Sequence, residues 1–70
     1  MLTLDMGGTV VPGSAYVEQR PHPESCVVFA EVDGCNVYPD EVITWSIASS
    51  PHYEIALLIA DAINKAAAES

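Results

Sequence analysis

The chain has 70 residues, of which half are apolar, and its ten acidic residues outnumber two basic ones, for a formal net charge of −8. This length allows one domain, residues 1–70, and the apolar content is too high for a disordered chain. The charge argues against nucleic acid or anionic lipid as a direct partner, because both would repel the protein.

The first third of the chain predicts short strands separated by turns. Residues 2–6 alternate apolar and polar side chains, as in a half-buried strand, and the glycine pair that follows signals a turn. A further strand is expected over 9–11 or over 15–19, because a Pro-Gly pair interrupts the run between them.

The segment 5–9, Asp-Met-Gly-Gly-Thr, resembles the first phosphate loop of actin-like ATPases and hydantoinase-type enzymes. A glycine turn of this kind lets backbone N–H groups approach phosphate. Those families enclose the nucleotide between two large domains, which a chain of 70 residues cannot contain. We therefore interpret the glycine pair as a hairpin turn.

The middle of the chain predicts a hairpin. Residues 25–33 are rich in valine and alternate in polarity, and the Asp33-Gly34 pair that ends this run favours a two-residue type I′ turn. The return strand is expected over 35–39, with Phe29 opposite Tyr38. The expected core face of this hairpin carries Cys26, Val28, Ala30, Val32, Cys35 and Val37.

The last part of the chain predicts a strand over 41–47 and a helix over 51–68. Ser50 is a suitable N-cap for this helix, and a proline follows it at the first helical position. We expect the helix to dock on the sheet beside Ile43, Trp45 and Ile47. Its expected docking face carries Ile55, Ile59, Ala62, Ile63 and Ala66.

These elements predict an α+β fold, an antiparallel β-meander of about four strands with one C-terminal helix packed on one face. No basic segment precedes an apolar run, so we expect a cytoplasmic protein that does not enter a membrane. Cys26 and Cys35 are expected to be reduced and buried.

No residue pattern predicts catalysis, a cofactor or a metal. The candidate zinc ligands Cys26, Cys35, His22 and His52 include no closely spaced pair, whereas structural zinc sites usually do. Neither histidine is placed beside a nucleophile by the predicted elements. We therefore expect a protein that is not an enzyme.

Charge and aromatic residues point instead to protein binding. The acids Glu31, Asp33, Asp40 and Glu41 crowd the predicted hairpin end with no basic residue between them. Phe29 and Tyr38 are expected on the sheet face that the helix leaves open, and aromatic residues often anchor interfaces. These six residues are the predicted contact residues for a basic protein partner.

In size, charge and lack of a catalytic motif, the chain resembles the small acidic inhibitors of bacteriophages and mobile elements, including anti-CRISPR proteins and DNA mimics. That resemblance implies an inhibitor that occupies a nucleic-acid-binding site on a host protein. The alternative is a structural or assembly subunit, such as a homodimer that buries Val27, Phe29 and Tyr38, in which the charge only confers solubility.

Overall fold

The computed structural model of the protein describes residues 1–21 and 25–69. Within these ranges the chain forms four strands and one helix. They are β1 (Thr9–Val10), β2 (Tyr16–Arg20), β3 (Ser25–Asp33), β4 (Val42–Ser50) and α1 (Tyr53–Ala68). The strands form one antiparallel sheet and the helix packs against it, so the predicted α+β arrangement is confirmed.

β3 is the central strand of the sheet. β4 pairs with it along nearly its whole length, from Cys26 opposite Ser50 to Asp33 opposite Val42. β1 and β2 therefore share the other edge, with β2 against the first half of β3 and β1 against its end. Both alternatives that the sequence left open for a strand before β3 are thus present.

Two predicted strands do not form. The segment 2–6 makes a single bridge, between Thr3 and Thr9. The Leu4 N–H donates to the Gly8 carbonyl at 2.8 Å, which closes the turn between them. The segment 35–39 lies in the loop 34–41 instead of pairing with β3. The physical reason is that β4 offers β3 a longer ladder than five residues containing Pro39 can provide.

The loop 34–41 also changes two expected side-chain positions. The Gly34 N–H donates to the Glu41 carbonyl at 3.2 Å, so β3 and β4 join through this loop and not through a two-residue turn. Cys35 is buried as expected, but Val37 is 70% exposed and does not join the core. Tyr38 lies in the loop and is not opposite Phe29.

β4 contains a bulge that shifts its inward-facing residues. Val28 pairs with Ala48 but Phe29 pairs with Ser46, so Ile47 is an extra residue. Ile47 and Ala48 both pack against the core, as expected where a bulge changes the alternation of a strand. The strand predicted over 41–47 spans Val42–Ser50 in the structure.

The core lies between β3 and the helix. The β3 residues on this face are buried as predicted, and on the helix the buried positions are alanines rather than isoleucines. In the cluster that contains the helix these residues are Cys26, Val28, Ala30, Ala56, Ala60 and Ala67, whereas the buried Val32 packs next to Gly8. Small side chains allow the helix to approach the sheet closely, which explains why the larger side chains do not define its docking face.

The expected docking of the helix is therefore wrong in part. Ile59 and Ile63 are partly buried against the core, but Ile55 is 46% exposed and Trp45 is 39% exposed. The helix also begins later than predicted, with His52 as its N-cap, and the Ser50 hydroxyl accepts the His52 N–H at 3.1 Å.

The N-terminal segment covers the same face of the sheet as the helix. Leu2 and Leu4 pack against the core cluster that contains Val10 and Ala30. The opposite face, which carries Val27, Phe29 and Glu31 and is called the outer face below, has no strand or helix packed on it among the described residues. In the same ranges, no helix has the length and apolar character needed to cross a membrane.

Candidate interaction surface

One end of the sheet is built from two segments that hydrogen-bond to each other. The Asn36 N–H donates to the Met6 carbonyl at 2.8 Å, which ties the loop 34–41 to the turn between the first residues and β1. The buried Cys35 side chain lies directly against Gly8. This packing fixes the loop, although the loop itself is neither strand nor helix.

This end of the molecule is acidic. Glu31 and Asp33 lie two residues apart on the outer face of β3, and Asp40 and Glu41 end the loop that follows. Asp5 joins them from the turn that is bonded to the same loop. We call these five exposed residues the acidic end: Asp5, Glu31, Asp33, Asp40 and Glu41.

The two basic residues lie elsewhere and already have acidic partners. Arg20 is at the far end of β2, with its guanidinium 3.7 Å from the Glu18 carboxylate. The Lys65 ammonium lies 3.4 Å from the Asp61 carboxylate on the exposed side of the helix. Within residues 1–21 and 25–69, no ion pair involves the acidic end, so its negative field is not neutralised locally.

Exposed apolar residues lie within the acidic end. Val37 and Tyr38 occupy the loop between Asp33 and Asp40, and their exposed fractions are 70% and 46%. The Tyr38 N–H donates to the Cys35 carbonyl at 3.1 Å, which anchors the backbone at this position. An exposed aromatic side chain thus lies on the loop that follows Asp33 and carries Asp40 and Glu41, and aromatic residues often anchor protein interfaces.

Phe29 does not belong to this group. Its ring stacks on Tyr16 of β2, with centroids 5.6 Å apart, and the Arg20 guanidinium lies 5.7 Å from the Phe29 ring centroid. Phe29 is therefore partly covered by its neighbours on the outer face. Val27, Phe29 and Tyr38 were predicted to form one apolar patch. Tyr38 is separated from the other two, because it lies in the loop 34–41 and not in a strand opposite Phe29.

The described residues considered for metal binding or nucleophilic chemistry are Cys26, Cys35 and His52. Cys26 and Cys35 are buried free thiols at different positions along the core, and His52 is exposed at the start of the helix. His22 lies outside the described residues. No group of three or more metal-binding side chains occurs within the ranges that the structure describes.

Sequence reasoning found four of the five members of the acidic end and missed the fifth. Glu31, Asp33, Asp40 and Glu41 are close in sequence, and the turn between β3 and β4 keeps them close in space. Asp5 arrives through the contact between Met6 and Asn36, and no local sequence signal predicts that contact.

Comparison of this chain with protein-family models, with curated proteins and with solved structures gives no match.

Proposed function

We propose that this protein is a non-enzymatic interaction module that presents its acidic end to a basic site on another protein. The observation that supports the proposal is the position of its charges. Five exposed acids occupy one end of the sheet, while Arg20 and Lys65 lie elsewhere beside acids of their own. A one-signed field of this kind accelerates and orients encounter with a surface of opposite charge.

The partner surface that fits best is one that binds nucleic acid. Glu31 and Asp33 project from the same face of a strand, two residues and therefore roughly 7 Å apart, which is close to the spacing of phosphates along one nucleic-acid strand. Carboxylates in such a row are able to pair with the lysines and arginines that otherwise contact phosphates. The protein would then act as an inhibitor, in the manner of the phage and mobile-element proteins that it resembles in size and charge.

Tyr38 and Val37 give this surface an apolar centre. Charged contacts at the rim of an interface contribute mostly to association rate and specificity, whereas buried aromatic residues contribute most of the affinity. In this interface the acidic residues orient the protein on its partner, and Tyr38 contributes a large share of the binding energy. Phe29, which is stacked within the sheet, has no direct role in this contact.

The test compares two variants with the same net charge. In the first, Asp33, Asp40 and Glu41 are replaced by lysine. In the matched control, lysine replaces three other exposed acids: Glu54 and Asp61 of the helix, and Glu69 directly after it. Each protein is immobilised and used to capture partners from host lysate at about 50 mM and about 500 mM NaCl, a range over which screening of exposed charges increases severalfold.

We expect the wild type and the helix variant to capture the same basic protein, and the acidic-end variant to lose it. Capture should fall at the higher salt concentration, and added DNA or RNA should compete for the captured protein. The partner's affinity, measured on the purified pair, should drop at least tenfold in the acidic-end variant. Equal binding by both variants, or binding that salt and nucleic acid leave unchanged, would contradict the proposal.

A further inference from the structure

The two edges of the sheet differ in how well they are protected from pairing with another strand. The edge formed by β1 and β2 carries Glu18 and Arg20 and is interrupted by Pro12. β4 forms the other edge with nine residues, Val42–Ser50, none of which is charged or a proline. Within the described ranges, no strand pairs with the outward side of β4. An uncharged edge strand of this length is a template for pairing with another chain.

The backbone groups that β4 leaves free follow from the bonds of β3. The Glu31 N–H donates to the Ser14 hydroxyl at 3.0 Å, and the Glu31 carbonyl accepts the Val11 N–H at 2.9 Å. Both polar groups of Glu31 therefore point toward β1, away from β4. In an antiparallel ladder, Thr44, which lies opposite Glu31, must then direct its own N–H and carbonyl toward the free edge.

Side chains beside this edge are also incompletely covered. Asn64 of the helix accepts the Ala15 N–H at 2.8 Å and donates to the Ala15 carbonyl at 3.1 Å, which holds one flank of the helix over the β2 side of the sheet. By helical geometry Ile55 lies on the opposite flank, toward β4. Trp45 and Ile55 are 39% and 46% exposed there, so β4 is not fully covered.

From these observations we propose that β4 pairs with β4 of a second copy of this chain, antiparallel, with the two-fold axis at Thr44. Thr44 then lies opposite Thr44 of the second copy, and Val42 lies opposite Ser46. The free N–H and carbonyl groups of these three residues form about six main-chain hydrogen bonds across the axis. On the core side, Trp45 lies opposite Ile43 of the second copy.

The apolar area and the uncharged main chain at this edge favour a second copy as the occupant. The exposed parts of Trp45 and Ile55 on the core side of β4 and of Val42 on its outer side amount to roughly 250–300 Å² per copy, about a third of the roughly 800 Å² that one partner contributes to a stable interface, and the paired main chains add to this area. The residues of β4 carry no charge, so no like charges meet within the contact, and added salt should strengthen the dimer by screening the net charge of −8 on each copy. Dimerisation through β4 does not require the function proposed above.

Substitutions at Thr44 test the proposal by sedimentation equilibrium. Thr44→Pro removes an N–H that points away from β3, so the monomer loses no hydrogen bond, whereas the dimer loses bonds on both sides of its axis. Thr44→Ala is the matched control, because it keeps the N–H. We expect wild type and Thr44→Ala to dimerise and Thr44→Pro to raise the dimer Kd at least tenfold, with an unchanged circular dichroism spectrum.

Thr44→Lys is a second variant, which tests the dimer even if Thr44→Pro does not fold. Thr44→Lys places two lysines opposite each other in the dimer, whereas in the monomer the lysine faces Glu31. It should also weaken the dimer at least tenfold. A wild type that stays monomeric up to the order of 100 µM, a weak affinity for an interface of this size, would overturn the proposal. Dimerisation of Thr44→Lys with wild-type affinity would do so too.

Disulfide trapping tests the register directly. Thr44→Cys places the two new cysteines with Cα atoms about 5.5 Å apart, within the range for a disulfide. Ser46→Cys is the matched control, since its two copies lie roughly 14 Å apart in this register. We expect covalent dimers from Thr44→Cys alone. Equal cross-linking of both variants, or cross-linking of Ser46→Cys only, would overturn the proposed pairing.

Discussion

Replacing Gly8 with alanine tests whether the N-terminal turn and the loop 34–41 pack as the structure indicates. A Cβ atom at Gly8 would lie well inside van der Waals contact with Cγ1 of Val32, and 3.1 Å from Cβ of Cys35. Val32 is fully buried in the central strand, and its β-branched side chain has few alternative rotamers. The clash must therefore be relieved by movement of the turn or the loop.

The expected cost follows from two opposing effects. Overpacking a filled core position destabilises by about 1–3 kcal/mol. Alanine also restricts the unfolded chain, which offsets about 0.4–1 kcal/mol. We expect a net loss of about 1–2 kcal/mol, equivalent to a fall in Tm of roughly 5–15 °C for a domain of this size. Urea and thermal unfolding followed by circular dichroism measure both quantities.

A double-mutant cycle identifies the cause. Val32→Ala alone should destabilise, because it deletes two buried methyl groups, but in the Gly8→Ala background it also removes the atom that clashes. The two substitutions should therefore couple favourably by at least about 0.5 kcal/mol.

Gly13→Ala provides the control for this cycle. Gly13 has a φ of +78° and nothing near its Cβ position, so it should lose roughly 1 kcal/mol from backbone strain without coupling to Val32. A Gly8→Ala protein as stable as wild type, or one that Val32→Ala does not rescue, would refute the packing described for this end of the molecule.

Two further predictions concern the helix. Asn64→Ala should destabilise by about 1–3 kcal/mol, because it leaves the N–H and carbonyl of Ala15 without their partner, and urea unfolding would show a lower midpoint at an unchanged m value. Ile55→Ala should change stability by no more than about 0.5 kcal/mol at a concentration where the protein is monomeric, since Ile55 is half exposed. A loss above 2 kcal/mol there would mean that the helix docks through its isoleucines.

The sequence alone determined the elements whose signals are local. The alternating, valine-rich run of 25–33 matches β3, and its core face is the one expected from the period of two. The apolar, well-bounded run after Pro51 predicted the helix to within two residues. The four acids at 31, 33, 40 and 41 share one end of the sheet because a hairpin keeps residues that are close in sequence close in space.

Only the tertiary structure decided which segments pair and which sides face inward. The Asp33-Gly34 pair favours a tight two-residue turn, but this turn does not form. The main-chain hydrogen bonds that β3 makes along β4 outweigh the advantage of a tight turn. Buried alanines set the docking face of the helix, since close approach to the sheet selects small side chains that a hydrophobicity pattern underrates. Asp5 joins the acidic end through a contact thirty residues away in sequence, between Met6 and Asn36. Such contacts depend on how complete elements fit together, and that information is not carried by any short stretch of the chain.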